Sequence, residues 1–344
     1  MKSLQFGSGN RNLVQNINSV ISESEFGKEL WTITQDYCRK YFALTHLDNY
    51  QKELEFNCIY DGKTGPVNYN KNNSVITMIC IFYLHMFKIY RYTFELNEMK
   101  NISCCFGHSV GSFASILAAK QYENKIDFID EYKKALLFAV SCVVRSYITY
   151  QNIEETNISD CSTPMLILNN IKLRMANKMI TNFNTTEKER VEISLINSSN
   201  TIVISGSNSN LQAFVNANQK EFEALTVNYN FLECNIPFHC FLLNDAKSQV
   251  LSDNQLINFS VTKDNLRFPV LSTIDGSNYQ TQNDVLDSLL ASLLCKCVNW
   301  TSVITTAVSL GTTEIIDFGP MLPVSIFTKD CLSNLNRAVS ILQI

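Results

Sequence analysis

Short apolar runs that stop at glycine or at polar turns alternate along the chain with longer stretches whose apolar positions recur at helical spacing. Leu4 to Phe6 reads as a first strand closed by Gly7-Ser8-Gly9, and Asn12 to Ser22 and Glu29 to Tyr41 read as helices. A polar loop, Asn57 to Asn73, precedes the longest apolar run, Val75 to Phe87. That run contains His85, meets Lys88, and falls short of the roughly 20 residues a bilayer requires, so it predicts a buried core helix from Ser74 and no membrane span. Ile102 to Phe106 is apolar enough for a parallel strand buried on both faces, and a helix, Ser112 to Tyr122, follows directly. No period of about 20–50 residues recurs, which removes solenoids and propellers. Strand, tight turn and helix in succession predict an α/β class fold, built on a hydrolase-like parallel sheet.

The stretch from Thr163 to Glu233 has its own order. Met165 to Leu168, Glu192 to Leu195, Thr201 to Ser205 and Asn228 to Cys234 read as strands, and Lys172 to Phe183 and Asn210 to Phe222 as helices. The sequence β-α-β-β-α-β is that of a ferredoxin-like unit. It predicts an inserted ferredoxin-like subdomain, residues 163–234, within a discontinuous larger domain, residues 1–162 and 235–344. After the insertion, a strand Pro269 to Ile274, a helix Asn283 to Leu294 and a strand Glu314 to Phe318 resume the α/β pattern. A cleft between the two lobes is a favoured place for a ligand.

Composition narrows the function. Apolar residues make up 46% and charged residues 17% of 344, enough for a large core and too apolar for a disordered chain. Lys and Arg total 28 against 32 Asp and Glu, a net charge of -4, so there is no basic surplus for a nucleic-acid partner. The 12 cysteines are spread from Cys38 to Cys331 with no secretory leader ahead of them, which predicts free, mostly buried thiols in a reducing, cytoplasmic compartment. Cys295-Lys296-Cys297 is too closely spaced for a zinc knuckle and has no second pair, so no metal is expected.

The chemistry concentrates at Gly107-His108-Ser109-Val110-Gly111, a G-x-S-x-G pattern placed between a buried strand and an Ala-rich helix. Glycines two residues either side of Ser109 permit a sharp turn that presents its hydroxyl at a helix N-terminus, where free N–H groups favour developing negative charge. A serine needs a base. Of the four histidines, His108 is inside the turn, His46 has no polar chemistry around it, and His85 sits on the apolar helix. His239, in Ile236-Pro237-Phe238-His239-Cys240, closes the last strand of the insertion and is the candidate base facing Ser109 across the cleft.

Gly107 to Gly111, Pro237-Phe238-His239, Val191 to Asn197 with Ile202 to Gly206, Pro269 to Ser277 and Ile316 to Pro320 together resemble the malonyl-CoA:acyl-carrier-protein transacylase superfamily. Within it they are most similar to the acetyltransferase domain at the front of the fungal fatty acid synthase β subunit and to starter-unit loading domains of polyketide synthases. The resemblance covers nearly the whole chain. It implies a Ser109–His239 dyad with no carboxylate, the imidazole oriented by a backbone carbonyl on Lys296 or close to it. Backbone N–H groups of Val110 and of the Gly7-Ser8-Gly9 loop, Ser8 standing where the family usually has glutamine, would form the oxyanion hole.

The implied reaction moves an acyl group from a coenzyme A thioester, a substrate rather than a resident cofactor, to the phosphopantetheine thiol of an acyl carrier protein. Other synthase domains are possible partners. The position matching the malonyl-binding arginine of the family falls on Cys142, and Arg145 matches an arginine of acetyl-transferring domains, so an uncharged acyl group is expected. Cys142, Arg145, Phe238 and Asn197 are the implied substrate-binding residues. Arg145 lies about 300° round the helix from Cys142, at roughly 100° per residue, near the same face, which keeps malonyl as the alternative. A serine hydrolase or thioesterase, and a non-catalytic synthase lobe, are the other readings. A hydrolase would place its histidine after the last strand, whereas His239 precedes further strand patterns. Gly319-Pro320-Met321 for Gly-Pro-Gly, Asn73-Ser74-Val75 for Thr-Gln-Pro, and Cys297 for a proline depart from the family pattern.

Overall fold

A computed structural model describes residues 1–9, 12–60, 65–66, 70, 72–153, 163–185, 190–319 and 322–344. The first strand, β1 (Lys2–Phe6), leads into α1 (Leu13–Glu23), α2 (Glu25–Thr45), two single turns, α3 (Tyr50–Glu53) and α4 (Asn57–Tyr60), and the long α5 (Ser74–Tyr90). The single turn α4 thus occupies the start of the segment expected to be loop; residues 61–64, 67–69 and 71 of it lie outside the described residues. Ser24 accepts from the Gly27 N–H to cap α2, and Asn73 accepts from the Ile76 N–H to cap α5. α5 is buried on nearly every side and packs against α1 and α2. It continues as a π-helical turn, Arg91–Glu95, so the helix runs 22 residues from Ser74, longer than the apolar run marks. Among the described residues it is the one helix long and apolar enough to cross a membrane, yet 78% of its most apolar window is buried inside the protein.

Next come β2 (Ile102–Gly107), α6 (Val110–Ala119) and α7 (Lys125–Gln151), both helices packing on α5. The insertion then follows as β3 (Met165–Asn169), α8 (Leu173–Phe183), β4 (Val191–Ile196), β5 (Thr201–Gly206), α9 (Asn208–Ala224) and β6 (Asn228–Phe231). Its strands lie in the order β6-β3-β5-β4 with every neighbouring pair antiparallel, the ferredoxin-like arrangement. The chain returns through α10 (Asn244–Ile257), α11 (Val285–Leu290) with a π-helical turn Ala291–Cys295, the two-residue β7 (Val298–Asn299), α12 (Trp300–Ser309), β8 (Glu314–Asp317), α13 (Leu322–Asn334) and β9 (Ser340–Gln343).

The large lobe is built on a parallel sheet, β2-β1-β8-β9. Leu4, Phe6, Cys104, Cys105, Phe106, Ile315 and Ile316 are buried, as expected of parallel strands covered on both faces. β7 pairs in parallel with β4, Leu195 opposite Val298 and Ile196 opposite Asn299, and stitches the inserted sheet to the large lobe. The expected strand Pro269 to Ile274 is reduced to two isolated bridges, Cys105 to Val270 and Leu271 to Asn278. The chain turns back at Ser272, whose N–H donates to Ser277 O, with Gly276 at φ 77°, before a second register can form. Two residues of β7 are too short to show an alternation, and β9 is an exposed edge, so neither carried a sequence signal.

The insertion has a core of its own: Leu166, Leu168, Ile202, Ile204, Leu211 and Phe214 are buried among themselves under α8 and α9. Phe214 packs edge-on to Phe183 at 5.4 Å between ring centres. Phe214→Ala is expected to cost about 3–5 kcal/mol of unfolding free energy. Hydrogen exchange in the variant should quicken through residues 165–231 and leave β1, β2 and β8 protected. Equal loosening of both sheets would contradict a separate core.

Candidate active site

The turn at Ser109 is shaped by what lies beneath it. Ser109 sits at φ 54° and ψ −122°, a backbone region a residue with a side chain rarely adopts. A Cβ on Gly107 would fall 1.9 Å from the Gly111 carbonyl group, and one on Gly111 would fall 2.1 Å from Phe6 O. Those two glycines let the β2–α6 turn press against β1. The same Phe6 O accepts the His108 N–H at 2.8 Å, and the Gly111 N–H donates to His108 O at 2.9 Å. The Ser112 hydroxyl adds a bond to Ser109 O. The strained serine is therefore held from below and from both sides.

Ser109 Oγ lies 3.0 Å from His239 Nε2, and His239 Nδ1 lies 2.8 Å from Ser292 O. A carbonyl only accepts, so Nδ1 carries the proton and the Nε2 lone pair faces the serine hydroxyl. The resemblance implied a carbonyl on Lys296 or close to it; the imidazole instead bonds Ser292 O, with the Lys296 backbone a weaker contributor. The π-helical turn explains the change. The Lys296 N–H closes it onto Ala291 O, and the chain then leaves the helix extended, leaving Ser292 O for the imidazole. His239 does not end a strand either. β6 stops at Phe231, and His239 stands at φ 59° in the loop beyond, tied by the Ser205 hydroxyl to Phe238 O and by the Cys240 N–H to Leu294 O. Burial pushes the imidazole pKa down to about 3, the neighbouring His108 pushes the same way, and the two backbone groups oppose them.

His108, which in the sequence is only the variable position of the motif, joins three segments. Its Nε2 lies 2.8 Å from Asn197 Oδ1 and its Nδ1 lies 3.1 Å from Ser8 Oγ. With Nε2–H donating to Asn197, Nδ1 accepts from the Ser8 hydroxyl. The N-terminal loop, the Ser109 turn and the β4–β5 turn of the insertion are thereby linked through one neutral imidazole, its pKa lowered by burial to about 4. Asn197 was expected to face substrate; its oxygen is taken by His108, while the residue still borders the cleft.

Two cavities meet at Ser109. The wider, about 450 Å³, lies between the lobes and is bordered by Ser8, Gly9, Asn197, Leu195 and His239. The narrower, about 40 Å³, runs under α6 and is bordered by Val110, Phe113, Ala139, Cys142, Leu293 and Leu294. Met78 and Phe238 border both. No charged side chain among the described residues lines the narrow one. Cys142 borders it, its thiol pushed up by burial and kept protonated. Arg145 does not. Its Nε and Nη2 pair with Asp253 Oδ2 and Oδ1 at 2.9 and 2.7 Å, and the Ser141 and Tyr41 hydroxyls also donate to that carboxylate. A buried carboxylate on α10 commands the guanidinium, so Arg145 holds α7 to α10 and borders neither cavity.

Residues 38–237, more than half of the chain and including the Ser109 turn, match the family described as "Starter unit:ACP transacylase in aflatoxin biosynthesis". The fatty acid synthase subunit beta of Gibberella zeae is 27% identical over 228 residues, covering 62% of this chain and 11% of that protein. That of Saccharomyces cerevisiae is 25% identical over 241 residues, covering 62% and 12%. The chain thus spans about a tenth of the length of these relatives. Among solved structures, a polyketide malonyl-transacylase in complex with its acyl-carrier protein superposes with a TM-score of 0.70 at 14% identity, over 100% of this chain and 95% of that one. The malonyl CoA-acyl carrier protein transacylase of Coxiella burnetii gives 0.70 at 14% identity, over 99% and 93%. The structural likeness shows the shared fold, and the family match shows membership: the chain belongs to the starter unit:ACP transacylase family.

Proposed function

We propose that the chain transfers a short, uncharged acyl group, acetyl foremost, from coenzyme A to the phosphopantetheine thiol of an acyl carrier protein through an acyl-Ser109 intermediate. The alignment of Ser109, His239 and Ser292 O beside a narrow uncharged cavity is the observation that carries this reading. Ser109 Oγ attacks the thioester carbonyl carbon while its proton passes to His239 Nε2. The developing oxyanion meets the N–H groups of Val110, at the start of α6, and Ser8. Collapse breaks the C–S bond, and His239 returns the proton to the departing coenzyme A thiolate. In the second half, His239 takes the proton of the carrier thiol, whose sulfur attacks the acyl-serine, and the proton ends on Ser109 Oγ. The wider cavity is suited to the pantetheine arm shared by both thiols. The acyl carrier partner accords with the carrier protein bound to the polyketide transacylase of the same fold. A reducing, cytoplasmic setting suits thiol chemistry, and the 11 cysteines among the described residues are all free. The malonyl alternative loses ground because Arg145 is committed to Asp253, and the hydrolase alternative because the imidazole meets a carbonyl in place of a carboxylate.

Incubation with acetyl-CoA should leave an acyl adduct on Ser109, seen by mass spectrometry of the intact protein, and Ser109→Ala should remove it. An adduct of equal yield in that variant, or one mapped to a cysteine, contradicts the assignment. His239→Ala should lower the acylation rate by several orders of magnitude with an unchanged circular dichroism spectrum.

The pH profile follows from the sign of the imidazole shift. Burial disfavours the charged ring, so His239 stays neutral well below its ordinary 6.5 and loses its lone pair only as pH approaches about 3. The acylation rate of the stable protein should run level from about pH 8 to 5 where a histidine base is kept neutral by burial. An inflection near the ordinary value would assign the step to another group.

A malonyl carboxylate in the narrow cavity would be desolvated without a partner, a penalty of roughly several kcal/mol. The unmodified chain should therefore favour acetyl-CoA over malonyl-CoA in kcat/KM, and Cys142→Arg should shift the ratio toward malonyl. Preference for malonyl in the unmodified chain would reverse the reading.

A further inference from the structure

One carbonyl at the C-terminal edge of the parallel sheet serves two donors. Gly319 O accepts from the Gly7 N–H at 2.9 Å and from His85 Nε2–H at 2.8 Å. The first donor opens the Gly7-Ser8-Gly9 loop; the second comes from the core helix α5. His85 is fully buried, with the Phe6 ring edge-on at 5.6 Å, and its Nδ1 has no partner. A buried polar atom left bare costs about 1–3 kcal/mol, so core packing alone gives no reason for an imidazole here.

The surroundings fix the same turn. Lys88, on the next turn of α5, donates from Nζ to Phe318 O at 2.7 Å, so the helix grips two successive carbonyls beyond β8. Asp317 accepts the Gly319 N–H at 3.0 Å and the Ser325 hydroxyl. Gly319 itself stands at φ 64°. The Gly7 N–H thus ends a chain of contacts that starts in α5, and the residue after it is Ser8.

We propose that His85 is a positioning residue for the oxyanion-binding loop: it holds the Gly319 carbonyl, which holds Gly7, and so aims the Ser8 N–H at the acyl oxygen on Ser109. This rests on the reading of Ser8 as an oxyanion donor. Burial lowers the His85 pKa to about 4, so the ring keeps a single donor, which the Gly319 carbonyl places on Nε2. A donor displaced from an oxyanion is felt in the transition state more than in substrate binding, so the loss should appear in kcat and spare KM.

The test uses the full chain and three variants. His85→Leu removes the donor. His85→Gln keeps an N–H that can reach Gly319 O. Gly7→Ala places a Cβ 3.2 Å from Gly319 O and disturbs the same carbonyl from the loop side. Steady-state transfer from acetyl-CoA to pantetheine and hydrogen exchange of residues 4–9 are measured on each. His85→Leu should lower kcat about 10–100-fold, as partial loss of an oxyanion donor does, with KM within about twofold. Exchange through residues 4–9 should quicken, and His85→Gln should recover most of both. Gly7→Ala should lower kcat in the same way. A folded His85→Leu with unchanged kcat, unchanged exchange at residues 4–9, or a deficit that glutamine does not relieve overturns the proposal. If His85→Leu does not fold, Gly7→Ala decides, and wild-type kcat there overturns it. Absence of any acyl adduct on Ser109 in the unmodified chain would instead defeat the acyltransferase reading, and the exchange comparison would still decide the role of His85.

Discussion

Everything at this site depends on the close approach of the β2–α6 turn to the carbonyl of Phe6. Gly111 passes so near that oxygen that no side chain fits, and Gly107 is as tightly set against Gly111. The contact forces Ser109 into its strained backbone conformation and puts its hydroxyl at the start of α6. It also joins β1 to the turn, so the loop that follows β1 lies beside the serine in the wider cavity. Strain of this kind costs on the order of 1–3 kcal/mol and persists only where packing over-determines it, as the buried strands and α5 do here.

A second constraint is electrical neutrality. His85, His108 and His239 are all buried and all held below their ordinary pKa, so the site presents neutral rings with one donor and one acceptor each. Each donor finds a carbonyl or amide oxygen: Gly319, Asn197 and Ser292. The part-buried ion pair of Arg145 with Asp253 is closed on itself and lines neither cavity. On the proposed reading, a thioester carbonyl acquiring negative charge beside Ser109 would meet oriented N–H groups, in a setting where such dipoles act more strongly than in water.

Much of this was legible in the sequence because local rules and the fold agree. The Gly107–Gly111 pattern after an apolar run marked the sharp turn at Ser109, and the alternation of short strands and helices from Met165 to Cys234 marked the inserted sheet, whose last strand stops at Phe231. The features that escaped are those that depend on distant partners. Whether Arg145 faces substrate or Asp253 is decided by a carboxylate more than a hundred residues away, at 2.7 Å in the fold. The carbonyl that meets His239 is that of Ser292, not of Lys296, because a π-helical turn changed which backbone oxygen was free, and apolar periodicity does not register that change. His108 looked incidental because its partners, Ser8 and Asn197, lie far from it in the sequence, one before it and one after.

The central claim is that this site passes an acyl group between thiols and withholds it from water. The most direct measurement is the fate of the isolated acyl-Ser109 enzyme, divided by rapid quench between transfer to a pantetheine thiol and hydrolysis in buffer. Transfer at millimolar thiol should exceed hydrolysis by about a hundredfold or more, as expected where orientation in a water-poor site favours the bound nucleophile. An acyl-enzyme that hydrolyses as fast in the presence of the thiol as without it, yielding free acid and no thioester, would contradict the account.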